Sequence, residues 1–567
     1  MLFHQLKQRI PEFIALSIVL YVFTSLHPRF ESNDDVAMMN MVSGALVGKS
    51  IPTLIFINSL FGVFLQIFYT ISTAINWYVL FVLIIPLFIS TTLFCRLFFY
   101  TARKYQWLAF LLLGIFVFFF LKNFIFLQFT RSAYLLVLSG AFTLLLSFLE
   151  KEQPSSRTLY LTGFLIGYAF LVRPMAALSG LIILTPIFFY IRTVFSRESA
   201  LKISCPLIVI FICGQLCNAI TMSGPEWEDY HLHNKARSAV LDTPRQNLVG
   251  KKKYAKHVGL SPTTLQSISR WYFPDDKVFS TKLFSDISEK MPLNASPKKI
   301  KQTYHIIKKR HKKSGYQAYL YFWAFLFTLT MLFPLRLWPT SLFLLAASAG
   351  SLHIFYHTMK ISPRVTEPLL LLSMFTVIAI LLIAERKQAL SPHKGGAALL
   401  IATLGLSYFG LPLQSSGIQL IQKADKRRIA ADNLDRSIKK LRQFDPEGFF
   451  FPLSDNLRTK HQRIKLFYPN TTEYAQLKTI SSGWTLHTPF YREHLKNNQL
   501  WPELPRKMLN PHRYYVSPGS VMRIIKRVYA ESYGLKIKEK KIHTFIQPIT
   551  KNKVGVYRIS VPRKNRK

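Results

Sequence analysis

The chain is broken into apolar blocks of about 15–25 residues, near 10–26, 53–72, 77–98, 107–121, 132–149, 158–173, 175–191, 201–222, 318–335, 338–356, 367–385 and 396–412. A helix rises about 1.5 Å per residue, so blocks of this length match a hydrocarbon core of roughly 30 Å. Lipid offers no partner to backbone N–H and C=O groups, so such blocks fold as helices. Half of the 567 residues are hydrophobic and 14% are aromatic, with 47 Phe, which excludes an ordinary soluble domain. The class is a polytopic α-helical membrane protein with about 11–13 transmembrane helices.

Lys7 and Arg9 precede the first block, and no small-x-small cleavage site follows it, so it reads as an uncleaved first helix. Basic residues in short loops set orientation. Arg96, Arg103 and Lys104 form one cluster, Arg192, Arg197 and Lys202 a second, and Arg386, Lys387 and Lys394 a third. All face the cytoplasm with Lys7 and Arg9, provided that 53–72 does not simply cross once. Pro52, Asn58 and Gly62 interrupt that block, which can lie at the interface, re-enter or cross twice. The N-terminus is then cytoplasmic. Residues 1–412 form the bundle, with loops 27–52 and 223–316 on the outer side, and 413–567 form a small external α/β domain. In that tail "SVMRIIKRVYAESYG" reads as helix, and "KIHTFIQPI" and "KVGVYRISV" read as strands.

Lys and Arg number 72 against 28 Asp and Glu, a net charge of +44. Much of this charge lies in runs such as "KKKYAKH" and "KKRHKKSG" of the loop 223–316, read as a solvated face over anionic lipids. No zinc-finger, RNP-like or basic-zipper pattern supports a nucleic-acid partner. Cys95, Cys205, Cys213 and Cys217 all fall in apolar segments. Cys213 and Cys217 are one turn apart, a metal-compatible spacing, but the set reads as small buried hydrophobes.

Against this basic background, "FESNDDVAMMNMVSGALVGKS" places Asp34 and Asp35 just past the first span. Ser32 to Asp35 fits a capping box, with Ser32 as cap and Asp35 reaching back to it. Met38, Met41, Val42 and Ala45 then form one side of a short amphipathic helix on the membrane surface. A cap uses one carboxylate, and adjacent helical residues point about 100° apart, which leaves Asp34 without a structural task. An ionised Asp at the rim of a bundle can take a proton or hold a divalent cation.

An acidic pair in the first external loop resembles the GT-C superfamily of integral-membrane glycosyltransferases, which includes protein mannosyltransferases, oligosaccharyltransferases and lipid A aminoarabinose transferases. "LQFTRSAYLLVLSGAFTLLL" resembles their polar, Thr-containing helix start, and "GFLIGYAFLVRPMAALSG" their Gly-rich span ending in Arg-Pro. Many spans followed by an external α/β domain add to the likeness; the long basic insert does not. The resemblance implies transfer of a sugar from a polyprenyl-phosphate donor to a glycan, lipid or protein acceptor outside a bacterial inner membrane. It implies Asp34 or Asp35 as proton acceptor, directly or through a divalent cation such as Mg, Mn or Zn. It also implies cations for the departing lipid phosphate, drawn from Lys122, Arg131, Arg173, Lys360 and Arg364. Arg173, inside "FLVRPM", is too costly to face lipid and leads this group. As plain structure, Arg173 is a snorkelling Arg, and Lys360 and Arg364 anchor a span.

Three further sets have weaker chemistry. His353 and His357 are one turn apart without a third ligand. Glu226, Glu228, Asp229, His231 and His233 open the basic loop, as a metal or acceptor site or a solvated helix start. The aromatics of "SGWTLHTPFYREHL" suit carbohydrate stacking or a packed core equally. Competing functions are a transporter or flippase of lipid-linked glycans, and a non-catalytic envelope assembly factor binding anionic polymers. The first expects matched broken helices and acids within spans; the second leaves the acidic pair idle.

Overall fold

The computed structural model describes residues 9–26, 28–150, 153–191, 196–243, 252–291, 362–386, 439–452, 483–546 and 553–562, with isolated positions between them. Lys360, His353, His357, the apolar blocks at 318–335 and 396–412, and the boundary at 412/413 lie outside the described residues; so does nearly all of 338–356.

The helices in chain order are α1 (Ile10–Leu26), α2 (Asn33–Val42), α3 (Ser59–Ile71), α4 (Val79–Lys104), α5 (Leu108–Ile125), α6 (Phe129–Glu150), α7 (Ser156–Val172), α8 (Pro174–Ile191) and α9 (Arg197–Thr221). Among the described residues six are long and apolar enough to cross a membrane: α4, α5, α6, α8, α9 and the later α14 (Pro363–Arg386). With α1 and α7 they make a multi-pass bundle. The apolar part of α14 is wholly buried and α6 nearly so, whereas α9 shows most of its surface outward. The central pair therefore carries side chains that never meet lipid.

α7 and α9 meet through glycine. A Cβ on Gly163 would come within 2.0 Å of the Ile203 carbonyl oxygen, so only a bare backbone lets the helices close. Cys205 and Cys213 on α9 are exposed and Cys217 half-buried, so of the four cysteines only Cys95 fits the buried-hydrophobe expectation. No sulfur is paired.

The interrupted block 53–72 supplies only the 13-residue α3, which rises about 20 Å and falls short of a crossing. It is pinned at its start. The Asn58 N–H donates to the Leu171 carbonyl, and the Ser59 N–H donates to Asn218 Oδ1. With α3 left out and the 17-residue α7 counted as a crossing, six helices, α4 to α9, separate the loop before α3 from the helix α10 (Pro225–Leu241), an even number that returns the chain to the same side. Contacts agree: Lys49 pairs with Glu493 at 3.1 Å, and Trp227 lies 6.2 Å from the Phe490 ring. At the opposite end of the bundle Glu12 pairs with Arg96, Tyr100 donates to the Leu149 carbonyl, and Arg386 caps the Phe148 ring. Arg96, Arg103, Lys104 and Arg386 thus share the end away from the acidic pair; Lys387 and Lys394 lie outside the described residues.

On the acidic side the basic loop is folded. α10 is followed by α11 (Lys252–Val258), α12 (Pro262–Ser269) and α13 (Thr281–Lys290), around buried Phe273, Phe279, Phe284 and Ile287. In "KKKYAKH" Lys256 and His257 are exposed, as a solvated face requires, and "KKRHKKSG" lies outside the described residues; the aromatic core beneath was not foreseen. The C-terminal residues form a four-stranded sheet in the order β3-β4-β6-β5, where β1 (Arg29–Phe30) and β2 (Phe126–Leu127) belong to the bundle. β3 (Phe449–Pro452) and β4 (Arg513–Ser517) are parallel; β5 (Lys538–Ile546) and β6 (Lys553–Ser560) form an antiparallel hairpin beside β4. α15 (Pro489–Asn497) precedes β4, and α16 (Gly519–Tyr533) buries Val521, Met522, Ile525, Val528 and Tyr529 at helical spacing. The predicted tail helix and both predicted strands are in place, and β3 and β4 were not foreseen. Hydroxyls of Tyr272, Tyr515 and Tyr529 chain the loop to the sheet at 3.0 and 2.8 Å.

Candidate active site

The short parallel ladder between β1 and β2 ties the acidic loop to the start of α6, and the Glu31 N–H donates to the Leu127 carbonyl at 2.8 Å. That ladder decides where the two acids go. Ser32 has extended backbone at the N-cap of α2, but its side chain makes no capping bond. Its hydroxyl donates instead to Asp35 Oδ2 at 3.2 Å. Asp35 is fully buried, and its Oδ1 accepts from the Tyr78 hydroxyl and from the Phe129 N–H that opens α6, each at 3.0 Å. The capping-box reading of Asp35 is thereby corrected: its carboxylate serves the first turn of another helix, where the dipole favours negative charge. Burial pushes Asp35 up to about 7, with the neighbouring Asp34 charge adding to the rise against the bonds from Phe129 and Tyr78. The amphipathic reading of α2 fails as well. Val36, Met38, Met39, Asn40, Met41 and Val42 are all buried, so the helix is covered on every side rather than laid on a surface.

Asp34 turns the other way. Its Oδ2 accepts from Arg364 Nη1 at 2.8 Å, and the pair keeps 16% and 32% of its side-chain surface accessible. Arg173 ends α7 beside this pair, with Arg364 and Asp34 as charged neighbours. Its guanidinium lies 5.3 Å from the Phe56 ring and 5.5 Å from Phe129, and it donates to the Phe56 carbonyl. Among the described residues no carboxylate lies within ion-pair distance of Arg173. Trp484 packs edge-on against Phe56 at 4.9 Å, so a turn from the C-terminal unit reaches this cation.

Lys122 and Arg131 are spent elsewhere. Arg131 is 2% exposed; its Nε bonds Glu31 at 2.6 Å and its Nη2 bonds Glu367 at 2.8 Å. Lys122 pairs with the other oxygen of Glu367. Among the described residues two acids meet two cations here, a clasp that ties α6 to α14. Glu367 went unnoticed in the sequence, although an acid within an apolar block signals an internal partner. Arg364 holds Asp34, neutral donors occupy both oxygens of Asp35, and neither joins a convergent group of three donor side chains among the described residues.

Of the weaker sets, His233 is buried while His231 is exposed, and Glu226 pairs with Lys496 at the surface. Trp484, Phe490 and Tyr491 are core residues, so of the two readings for that stretch the packed one holds.

Helices that cross repeatedly, a small α/β unit on one side, and acids gathered with cations at that side define a multi-pass membrane protein with an internal charged site. No protein-family model and no curated protein matches the chain. Among solved structures it is similar to ArnT from Cupriavidus metallidurans, in two crystal structures. In the apo state the identity is 12% and the TM-score 0.34; bound to undecaprenyl phosphate they are 11% and 0.36. Each alignment covers 97% of this chain and 99% of the other. A likeness this loose runs end to end without fixing which residue matches which, so each role above comes from a residue's own surroundings.

Proposed function

We propose that this chain is a membrane glycosyltransferase that moves a sugar from a polyprenyl-phosphate donor to an acceptor on the outer face of a bacterial inner membrane. The observation that carries this reading is the Asp34–Arg364 pair beside Arg173, a cation that meets no carboxylate among the described residues, at the acidic end of the bundle. The acceptor class, whether glycan, lipid or protein, belongs to the same proposal. Undecaprenyl phosphate in the similar ArnT is a ligand of the same donor chemistry.

In this mechanism the donor phosphate draws Arg364 away from Asp34 and settles between Arg364 and Arg173. The exchange frees the Asp34 carboxylate, which takes the proton of the acceptor hydroxyl as its oxygen attacks the anomeric carbon. The bond from that carbon to the phosphate oxygen breaks, and both electrons leave on the polyprenyl phosphate, whose new charge the guanidinium groups stabilise. Asp35 positions the loop from behind. No step is routed through a metal ion. The transporter reading is weaker because Glu367, the acid inside a span, is already neutralised by two cations.

The test is sugar transfer from labelled polyprenyl-phosphate donors in membranes, at matched expression. Asp34→Asn is expected to lose at least about 100-fold in rate, the usual worth of a general base. Arg173→Ala is expected to weaken use of the donor. Wild-type transfer by Asp34→Asn would remove this residue from the chemistry.

A further inference from the structure

Outside the candidate active site, three metal-capable side chains from distant segments converge. His233 comes from α10, Asp276 from the turn between α12 and α13, and His487 from the C-terminal unit, and one donor atom of each lies within 4.8 Å of the others. His233 and His487 are 4% and 1% exposed, and their rings are 4.3 Å apart.

The tautomers follow from the outer contacts. His487 Nε2 faces the Phe273 carbonyl at 3.4 Å, and a carbonyl only accepts, so Nε2 carries the proton. Nδ1 of the same ring lies 2.6 Å from the Asp276 carboxylate oxygen Oδ1, so close that a positive group, a proton or a metal ion, has to sit between them. His233 Nδ1 engages the Thr281 hydroxyl at 3.4 Å, and its buried Nε2 has no hydrogen-bond partner. Two buried imidazole nitrogens and a carboxylate oxygen therefore face one another. Acceptors this close repel unless something positive lies between them. Arg492 does not fill that place, because it holds the second oxygen of Asp276 from outside.

We propose that His233, Asp276 and His487 bind a divalent, borderline cation of the zinc class that fastens the folded basic loop to the C-terminal unit. Two imidazoles and one carboxylate are a common zinc donor set, with a water completing four-coordination. In a tetrahedral site donors lie about 3.3 Å apart, so binding opens the Asp276–His487 contact slightly and draws His233 in. Outer groups that orient metal-ligating imidazoles are a regular part of such sites, here Thr281 and the Phe273 carbonyl, with Arg492 orienting the carboxylate. His487 is three residues beyond Trp484, which packs on Phe56 under Arg173, so the cation would also brace that wall. The proposal does not depend on sugar transfer.

The test uses the full-length protein in detergent, stripped with chelator and titrated with zinc against a chromophoric competitor. One tight zinc per chain is expected, with affinity at least tenfold weaker in His233→Ala and in His487→Ala. Cobalt added to the stripped wild-type protein gives an independent reading, free of any folding defect in the variants. Intense visible absorption of a four-coordinate nitrogen and oxygen site is expected, and zinc should displace it. Wild-type protein that binds no zinc more tightly than the His233→Ala/His487→Ala variant, or a weak six-coordinate cobalt spectrum, overturns the assignment. Either would mean that a proton alone holds the Asp276–His487 contact.

Discussion

The two adjacent aspartates should respond differently to amide substitution, and Asp35 gives the sharper case. Its proton affinity rises from the ordinary 3.8 to about 7 on folding, because burial disfavours the charge. Between those values the folded chain holds a proton that the unfolded chain has released, so stability falls as pH rises. At about 1.4 kcal/mol per pH unit, this one group removes about 4 kcal/mol, complete once pH passes 7 and absent below 3.8. Asp35→Asn removes the titration and keeps the geometry. Its Oδ1 still accepts from Tyr78 and Phe129, and its amide donates to the Ser32 hydroxyl in place of the 3.2 Å bond that Asp35 accepts. The measurement is apparent Tm in detergent from pH 4 to 8, taken as Asp35→Asn minus wild type so that other titrating groups cancel. The difference should be near zero at pH 4 and grow to favour the variant by pH 8. A difference flat across that range would refute the buried, late-titrating carboxylate. Asp35→Ala is expected to be about 2–5 kcal/mol less stable than Asp35→Asn at any pH, because two buried donors lose their acceptor.

The clasp of Glu31, Arg131, Glu367 and Lys122 is structural, so Arg131→Met should destabilise by about 3–5 kcal/mol while transfer per folded molecule stays close to wild type. Folded yield and rate, measured on the same preparation, separate the two effects; a selective loss of rate would return Arg131 to the phosphate. Gly163→Leu should prevent close packing of α7 on α9 and cost at least about 1–3 kcal/mol, read as loss of monodisperse protein on size exclusion.

Much of the bundle was legible because a lipid-facing helix must be long and apolar, and both properties are local. The blocks near 77–98, 132–149, 175–191 and 201–222 became α4, α6, α8 and α9. The strands β5 and β6 and helix α16 were legible for the same reason, since alternation and helical spacing are written within a few residues. β3 and β4 were missed because buried runs such as "FFFP" and "RYYVS" carry no alternation to read. The folding of the basic insert was hidden by its charge, since Phe273, Phe279 and Phe284 are spread among lysines and meet only when the chain turns back.

For the acidic pair the division is the same. The sequence alone determined that two carboxylates leave the first span together, in a chain otherwise dominated by cations, and that neighbours on a helix must point about 100° apart. Which carboxylate faces inward depends on partners 43, 94 and 330 residues away: Tyr78, Phe129 and Arg364. No local pattern encodes those distances. The β1–β2 ladder and the packing of α6 against α14 bring the three partners to one end of the bundle. There Asp35 is closed off behind neutral donors, and Asp34 is left paired with a cation at the accessible mouth.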